Sequence, residues 1–176
     1  LITVDGVRMN TAIFRGGNVQ NVISIDPLSV ERMEVVLGPG SVMYGSDAIG
    51  GVMNFYTLSP GFSMVKGGSV TGKAYGRYAS ANEEKTGHFD FACEKEKWAI
   101  LTSVSYSDFG DMKMGSHGPD EYLRPEYVVQ IDGQDVVVPN EDPRVQVPTG
   151  YDQINLLQKF RFRPTREWDF NLGVIY

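Results

Sequence analysis

Polar and apolar side chains alternate with a period of two along most of the chain beyond residue 63, which predicts β-strands. In Trp98–Phe109, large apolar residues occupy one set of alternate positions, and alanine and serine occupy most of the other. A helix would instead repeat its apolar positions about every 3.6 residues. Five segments carry the alternation, which is weakest in the first of them: Met64–Ser80, His88–Glu94, Trp98–Phe109, Tyr151–Arg163 and Trp168–Tyr176.

The spacing of aromatic residues fits strands that cross a membrane. Trp98 and Tyr106 lie eight positions apart on one apolar face, and Trp168 and Tyr176 repeat that spacing. At about 3.3 Å per residue and a tilt of about 40°, this separation spans roughly 20 Å, close to the height of the apolar band of a β-barrel. A soluble β-sandwich also alternates and also uses aromatic residues, so the pattern alone leaves both architectures open.

Residues 1–57 show a different pattern, in which short apolar runs are separated by turn signals. Asp26-Pro27 is expected to cap one helical turn at Ser29–Arg32. Gly50-Gly51 is expected to form a bulge or a close backbone approach. The predicted strands and the turns that follow them are Leu1–Val4 with Asp5-Gly6, Arg32–Leu37 with Gly38–Ser41, and Val52–Thr57. Together they predict a small α+β segment.

Composition excludes several classes of function. The chain of 176 residues has 16 Lys and Arg against 22 Asp and Glu, a net charge of −6, and no basic run that would neutralise nucleic-acid phosphates. The single cysteine, Cys93, cannot form an internal disulfide. No phosphate-binding glycine loop, nucleophile elbow or metal-ligand spacing is present, so we predict no catalytic residue, cofactor or metal. Because the chain opens and closes within strand-like runs, we expect it to be a fragment.

Five motifs in register resemble the late plug domain of TonB-dependent outer-membrane receptors. They are Asp5-Gly6-Val7, Val30–Val35, Gly38–Ser41, Tyr44–Ser46 and Ala48–Asn54. The resemblance implies that residues 1–57 are the C-terminal part of a plug, 58–63 a linker, and 64–176 the first strands of an antiparallel transmembrane β-barrel. The expected fold is therefore α+β followed by a partial barrel of five strands, cut from a larger barrel of about 22.

The order of short and long connections agrees with this arrangement. If the first strand runs outward from the periplasm, connections alternate between outer and inner sides. The long connection, Gly110–Gly150, then falls on an outer position. Within it, Tyr127–Ile131 and Gln134–Val138 flank Asp132-Gly133, which predicts a two-residue hairpin.

The resemblance also implies a function and a location. It predicts a transporter in the outer membrane of a Gram-negative bacterium, whose plug occludes the barrel and is pulled by the energy-transducing protein TonB. The expected ligand is an iron-siderophore or haem, with cobalamin and glycan as alternatives, and the expected contacts include outer-membrane lipid. A soluble β-rich binding or adhesion module is the alternative from a different class.

Candidate site residues follow from the same resemblance and from loop position. Arg32 and Glu34 stand where the family carries charges that lock the plug to the wall, and pairing with Lys73, Asp90 or Lys159 is expected because an unpaired buried charge is costly. The other plug-motif residues are Gly38, Gly40, Ser41, Tyr44, Gly45, Gly50 and Gly51. Ligand contacts are expected in the outer loop, because loops carry binding, at His117, Tyr122, Arg124 and Tyr127.

Overall fold

The structure is a computed structural model that describes residues 1–9, 22 and 24–176. Its contacts divide the chain into two compact units. The first contains Leu1–Lys73, Asp90–Val104 and Asn155–Tyr176, and the second contains Ala74–Phe89 and Ser105–Ile154. Among the described residues, no helix is both long and apolar enough to cross a membrane.

The N-terminal part of the first unit is a four-stranded mixed sheet with a short helix. Its strands lie in the order β2-β1-β4-β3, and only β1 and β4 run parallel to each other. Asp5 and Gly6 have φ angles of 49° and 81°, so they form the tight turn predicted between β1 and β2. The elements are β1 (Ile2–Val4), β2 (Val7–Arg8), β3 (Val30–Leu37), helix α1 (Ser41–Tyr44), a 3₁₀ turn (Ser46–Ala48) and β4 (Gly51–Thr57).

The helical turn predicted at Ser29–Arg32 is wrong, because β3 already begins at Val30. The turn lies earlier: Asp26 accepts a hydrogen bond from the Leu28 N–H through its side chain, and its carbonyl accepts the N–H and hydroxyl of Ser29. Asp26 therefore caps a single turn. Val30 pairs with Thr57 of β4, and this long-range pairing decides the conformation.

The close approach predicted at Gly50-Gly51 is confirmed at Gly51. Its φ is 131°, and a Cβ there would lie 2.8 Å from the carbonyl oxygen of Val36 on β3. The irregularity in strand pairing lies instead between Val30 and Arg32. Glycine at 51 lets β3 and β4 meet at the point where β4 begins.

Five longer antiparallel strands form the second sheet, in the order β13-β12-β7-β6-β5. This number agrees with the sequence prediction, although the first and last strands begin later than predicted. The register of β12 with β13 places Lys159 opposite Gly173. The strands are β5 (Ser69–Ala79), β6 (Glu84–Glu94), β7 (Trp98–Phe109), β12 (Tyr151–Phe162) and β13 (Phe170–Ile175).

In three strands of this sheet, β6, β7 and β12, the burial pattern is the reverse of that in a soluble protein. Polar side chains on β6, β7 and β12 are buried, whereas large apolar side chains on the opposite face are exposed. The alternation predicted from the sequence is therefore present, and its polar face is the buried one. Buried polar residues include Glu84, His88, Asp90, Ser103, Ser105 and Lys159, and exposed apolar residues include Phe89, Phe91, Trp98, Tyr106, Phe160 and Leu172.

The connection between β7 and β12 is structured and belongs to the second unit. The predicted hairpin is confirmed, with Asp132 and Gly133 at φ angles of 50° and 78°. An ion-paired carboxylate, Asp142, bridges Lys113 and Arg144 next to a short two-stranded sheet. The elements are β8 (Met112–Lys113), a 3₁₀ turn (Asp120–Tyr122), β9 (Glu126–Ile131), β10 (Gln134–Pro139) and β11 (Val145–Gln146).

Candidate functional site: the junction of the two sheets

A buried lysine joins the N-terminal sheet to the five-stranded sheet within the first unit. Lys159 of β12 is 4% exposed, and its Nζ lies 3.0 Å from Asp5 Oδ2. The same Nζ donates to the Thr57 carbonyl at 3.2 Å and to Ser59 Oγ at 2.8 Å. Its three donors thus match three oxygens from the N-terminal segment. We call these four residues, Asp5, Thr57, Ser59 and Lys159, the clasp.

The carboxylate of Asp5 is oriented by hydrogen bonds that do not involve Lys159. Asp5 follows β1 in the tight turn, and its carboxylate accepts the Thr57 N–H at 2.9 Å and the Thr57 hydroxyl at 2.6 Å. Burial by itself raises the pKa of Asp5, but the hydrogen bonds from Thr57 and Lys159 outweigh it and lower the pKa below its usual value. Asp5 is therefore a carboxylate at neutral pH, and the contact with Lys159 is an ion pair.

Residues 58–63, which follow the clasp, lie against the five-stranded sheet. Leu58 packs on a buried apolar cluster of Ala92, Leu101 and Leu157. The Gly61 N–H donates to Glu94 Oε1 at 2.8 Å. The backbone of this linker is thus bound to β6, while its first side chain is partly buried against residues of three strands.

An aromatic ring completes the attachment of the linker. The guanidinium groups of Arg161 and Arg163 lie 4.8 Å and 4.3 Å from the centroid of the Phe62 ring. Asp169 accepts hydrogen bonds from both arginines, at 2.7 Å and 2.6 Å for the shortest contact of each. The carboxylate fixes the two cations in the positions from which they contact the ring.

A cavity of about 800 Å³ lies beside the clasp in the same unit. The β1–β2 turn, with Asp5 and Gly6, forms one side, and alternate residues of β12 and β13 form the other. Gly173 contributes only backbone, and a Cβ there would make ordinary contact with Lys159 at 3.8 Å. Space for a larger side chain is therefore present at this point of the sheet.

Comparison with known proteins identifies the N-terminal segment. The model of the TonB-dependent Receptor Plug Domain matches residues 1–52. Residues 1–52 are a TonB-dependent receptor plug segment. A vitamin B12 transporter, BtuB of Vibrio vulnificus (strain CMCP6), is 51% identical over 59 residues. That match covers 34% of this chain and 9% of the transporter.

The plug motifs have a structural explanation in the packing of α1. Gly40 immediately precedes this helix, and a Cβ at this position would lie 3.0 Å from Val52 Cγ2 of β4. Tyr44 accepts a hydrogen bond from the Asn54 side-chain amide at 3.0 Å. The remaining motif positions shape the turns around the helix: Gly38 and Gly45 have φ angles of 91° and 86°, Ser41 begins α1, and Gly50 precedes β4. The motif thus holds the helix on the plug sheet.

The lock to the wall expected of Arg32 and Glu34 stays a prediction, and among the described residues their partners lie in the N-terminal sheet. They pair with each other at 3.3 Å on the exposed edge strand β3. Tyr56 lies against both, with its ring 4.1 Å from the Arg32 guanidinium and its hydroxyl donating to Glu34 at 3.1 Å. Lys159, one of the three expected partners, pairs instead with Asp5.

The four candidate ligand residues lie in the second unit and are not brought together. His117 is bonded to its neighbour Ser116, and Arg124 donates to the carbonyls of Glu121 and Leu123. Tyr122 is exposed in a 3₁₀ turn, and Tyr127 lies on β9. No hydrogen bond or ring contact described in residues 105–154 joins any two of these four side chains.

Proposed function

We propose that the chain is the end of the plug and the first wall strands of a TonB-dependent outer-membrane transporter. In this proposal residues 1–57 are plug, 58–63 are linker, and 64–176 are wall, with an outer loop at about 110–150. The observation that carries it is the reversed burial of the five-stranded sheet, next to a segment that matches the plug family. The match by itself covers only the N-terminal third of the chain.

The reversed burial favours a membrane wall over a soluble module. A soluble sheet exposes polar side chains and buries apolar ones, because transfer of apolar surface out of water is favourable. Here Lys159 and Asp90 are buried, while Phe89 and Phe160 on the other face are exposed. A barrel wall requires this arrangement, with apolar side chains in lipid and polar ones toward the lumen. A soluble adhesion module, the alternative, would expose this apolar face to water.

The proposed activity is energy-coupled uptake of a nutrient. The plug occludes the lumen, TonB pulls on a part of the plug, and the ligand passes once the plug has moved. A protein of this type resides in the outer membrane of a Gram-negative bacterium and is not an enzyme. The similarity to a protein named a vitamin B12 transporter supports cobalamin ahead of iron-siderophore, haem and glycan.

Uptake by the full-length protein tests this proposal. The receptor that contains this chain is expressed in cells lacking their own cobalamin receptor, with and without a functional TonB system. We expect labelled cyanocobalamin to accumulate only when both receptor and TonB are present. Haem and a ferric siderophore, assayed in parallel, test the alternative ligands. A receptor that fractionates with soluble proteins and needs no detergent would refute the membrane assignment.

A further inference from the structure

We infer that the linker, residues 58–63, is a fixed part of the wall, and that the plug is released by separation of Asp5 from Lys159. This inference rests on the proposed transport function and concerns how the plug moves. It places the moving boundary between the plug sheet and Leu58, so the Leu58 N–H, which donates to the Ser29 carbonyl at 2.8 Å, must release that carbonyl when the plug moves. Everything beyond that boundary stays on the wall while the plug is displaced.

The linker is bound to the wall through contacts that do not involve the plug sheet. Leu58 packs against the buried apolar cluster, and the Gly61 N–H donates to Glu94. Phe62 lies against two arginines, and the Ser63 N–H donates to the Lys95 carbonyl at 3.1 Å. With Ser59, which accepts a hydrogen bond from Lys159, five of six consecutive residues are therefore attached to three different wall strands or their connections. Displacing the linker would break all of these contacts together.

The clasp differs because each charged partner keeps hydrogen bonds when the two separate. Lys159 retains Ser59, which lies in the fixed linker. Asp5 retains both bonds from Thr57, at 2.9 Å and 2.6 Å. Separation therefore leaves neither ion without a partner, and the penalty for an uncompensated buried charge is reduced. The contact between Asp5 and Lys159 is therefore easier to break and re-form than the contacts between the linker and the wall.

A pair of buried positions on either side of the boundary tests this inference. Ser29 precedes β3, lines the cavity and is 7% exposed, and Ser63 lies in the linker and is also 7% exposed. Ser29→Cys and Ser63→Cys are placed singly in the full-length receptor, in a Cys93→Ser background. Cells with and without active TonB are then treated with a membrane-impermeant maleimide. We expect TonB to increase labelling at position 29 and to leave position 63 protected.

A covalent tether provides the matching functional measurement. Phe62→Cys with Arg163→Cys ties the linker to the wall, and Val7→Cys with Ile175→Cys ties the plug to the wall across the cavity. A bismaleimide applied to each pair should leave cyanocobalamin uptake intact in the first and abolish it in the second. Loss of uptake with the first tether, or TonB-dependent labelling at position 63, would overturn the inference. Absence of uptake in the untreated receptor would instead contradict the proposed function.

Discussion

Removal of one partner of the clasp should weaken the docking of the plug, and the two possible removals should differ in size. Asp5→Ala leaves the Lys159 ammonium in a site where its side chain is only 5% exposed. Breaking a buried ion pair from one side costs about 3–5 kcal/mol. Since Lys159 keeps two of its three acceptors, we expect the lower end, about 3 kcal/mol.

Lys159→Met should cost less. The side chain of Asp5 is 32% exposed, and its carboxylate keeps two hydrogen bonds from Thr57. Water can also reach it, so we expect a loss of about 1.5–2 kcal/mol, the lower part of the range for one hydrogen bond to a charged group. The double variant should be less destabilised than the sum of the single ones, because neither charge remains unpaired.

Native-state hydrogen exchange of the full-length receptor in detergent measures these differences. The amide of residue 5, which donates to the Phe55 carbonyl, and the amide of Met53, which donates to the Leu1 carbonyl, keep their acceptors in both variants and report opening of the plug sheet. A loss of about 3 kcal/mol corresponds to exchange on the order of a hundredfold faster. Thr102→Val, on the wall strand β7, serves as a control that leaves the clasp intact. If Lys159→Met accelerated exchange more than Asp5→Ala, the reasoning from retained partners would be refuted.

Three further predictions concern other sites. Gly51→Ala should destabilise the plug by about 1–3 kcal/mol in thermal denaturation, because its φ is 131° and the new Cβ would lie 2.8 Å from a carbonyl oxygen, whereas Gly50→Ala meets no atom within 4 Å and should have little effect. Gly173→Phe should fill the cavity and reduce uptake, while Leu172→Phe on the exposed face of the same strand should not; equal loss in both would contradict a role for the cavity. The pKa of Asp111, in the connection between β7 and β12, is lowered by hydrogen bonds from the backbone N–H groups of residues 149 and 150. The stability that Asp111 contributes is therefore present above its unfolded pKa of about 3.9 and is lost as pH falls through its folded pKa. Asp111→Asn should remove this acid-dependent loss of stability. Amide exchange at residues 149 and 150, measured between neutral pH and pH ~3, reports the difference.

The strands of the second sheet were predictable because their signal is local. Alternation of polar and apolar residues survives in each segment, and the Asp132-Gly133 turn specifies its hairpin without reference to the rest of the chain. The helical turn at Ser29–Arg32 was wrong because it ignored a partner strand. Val30 pairs with Thr57, and no local feature of the sequence shows that pairing.

The junction was harder to predict because its contacts are distant in sequence. Lys159 and Thr57 are 102 positions apart, and the sequence indicates only a turn and a plug motif at Asp5, without an ion pair. One signal was available: Leu101 and Leu157 interrupt the polar face of their strands. Both belong to the apolar cluster that receives Leu58. Exceptions to the alternation thus mark where the linker lies against the wall.

The reversed burial of the wall changes what a surface probe would report. In the proposed membrane arrangement, the exposed side chains Leu172 and Val174 face acyl chains, while Asn171 and Gly173 face the space beside the plug. An environment-sensitive fluorophore should therefore emit at shorter wavelength at position 172 than at position 171. Lipids that carry a quencher should reduce the fluorescence at position 172 and leave that at position 171 unchanged. Fluorophores at two adjacent residues of one strand would then distinguish the lipid-facing side of the wall from its lumen-facing side.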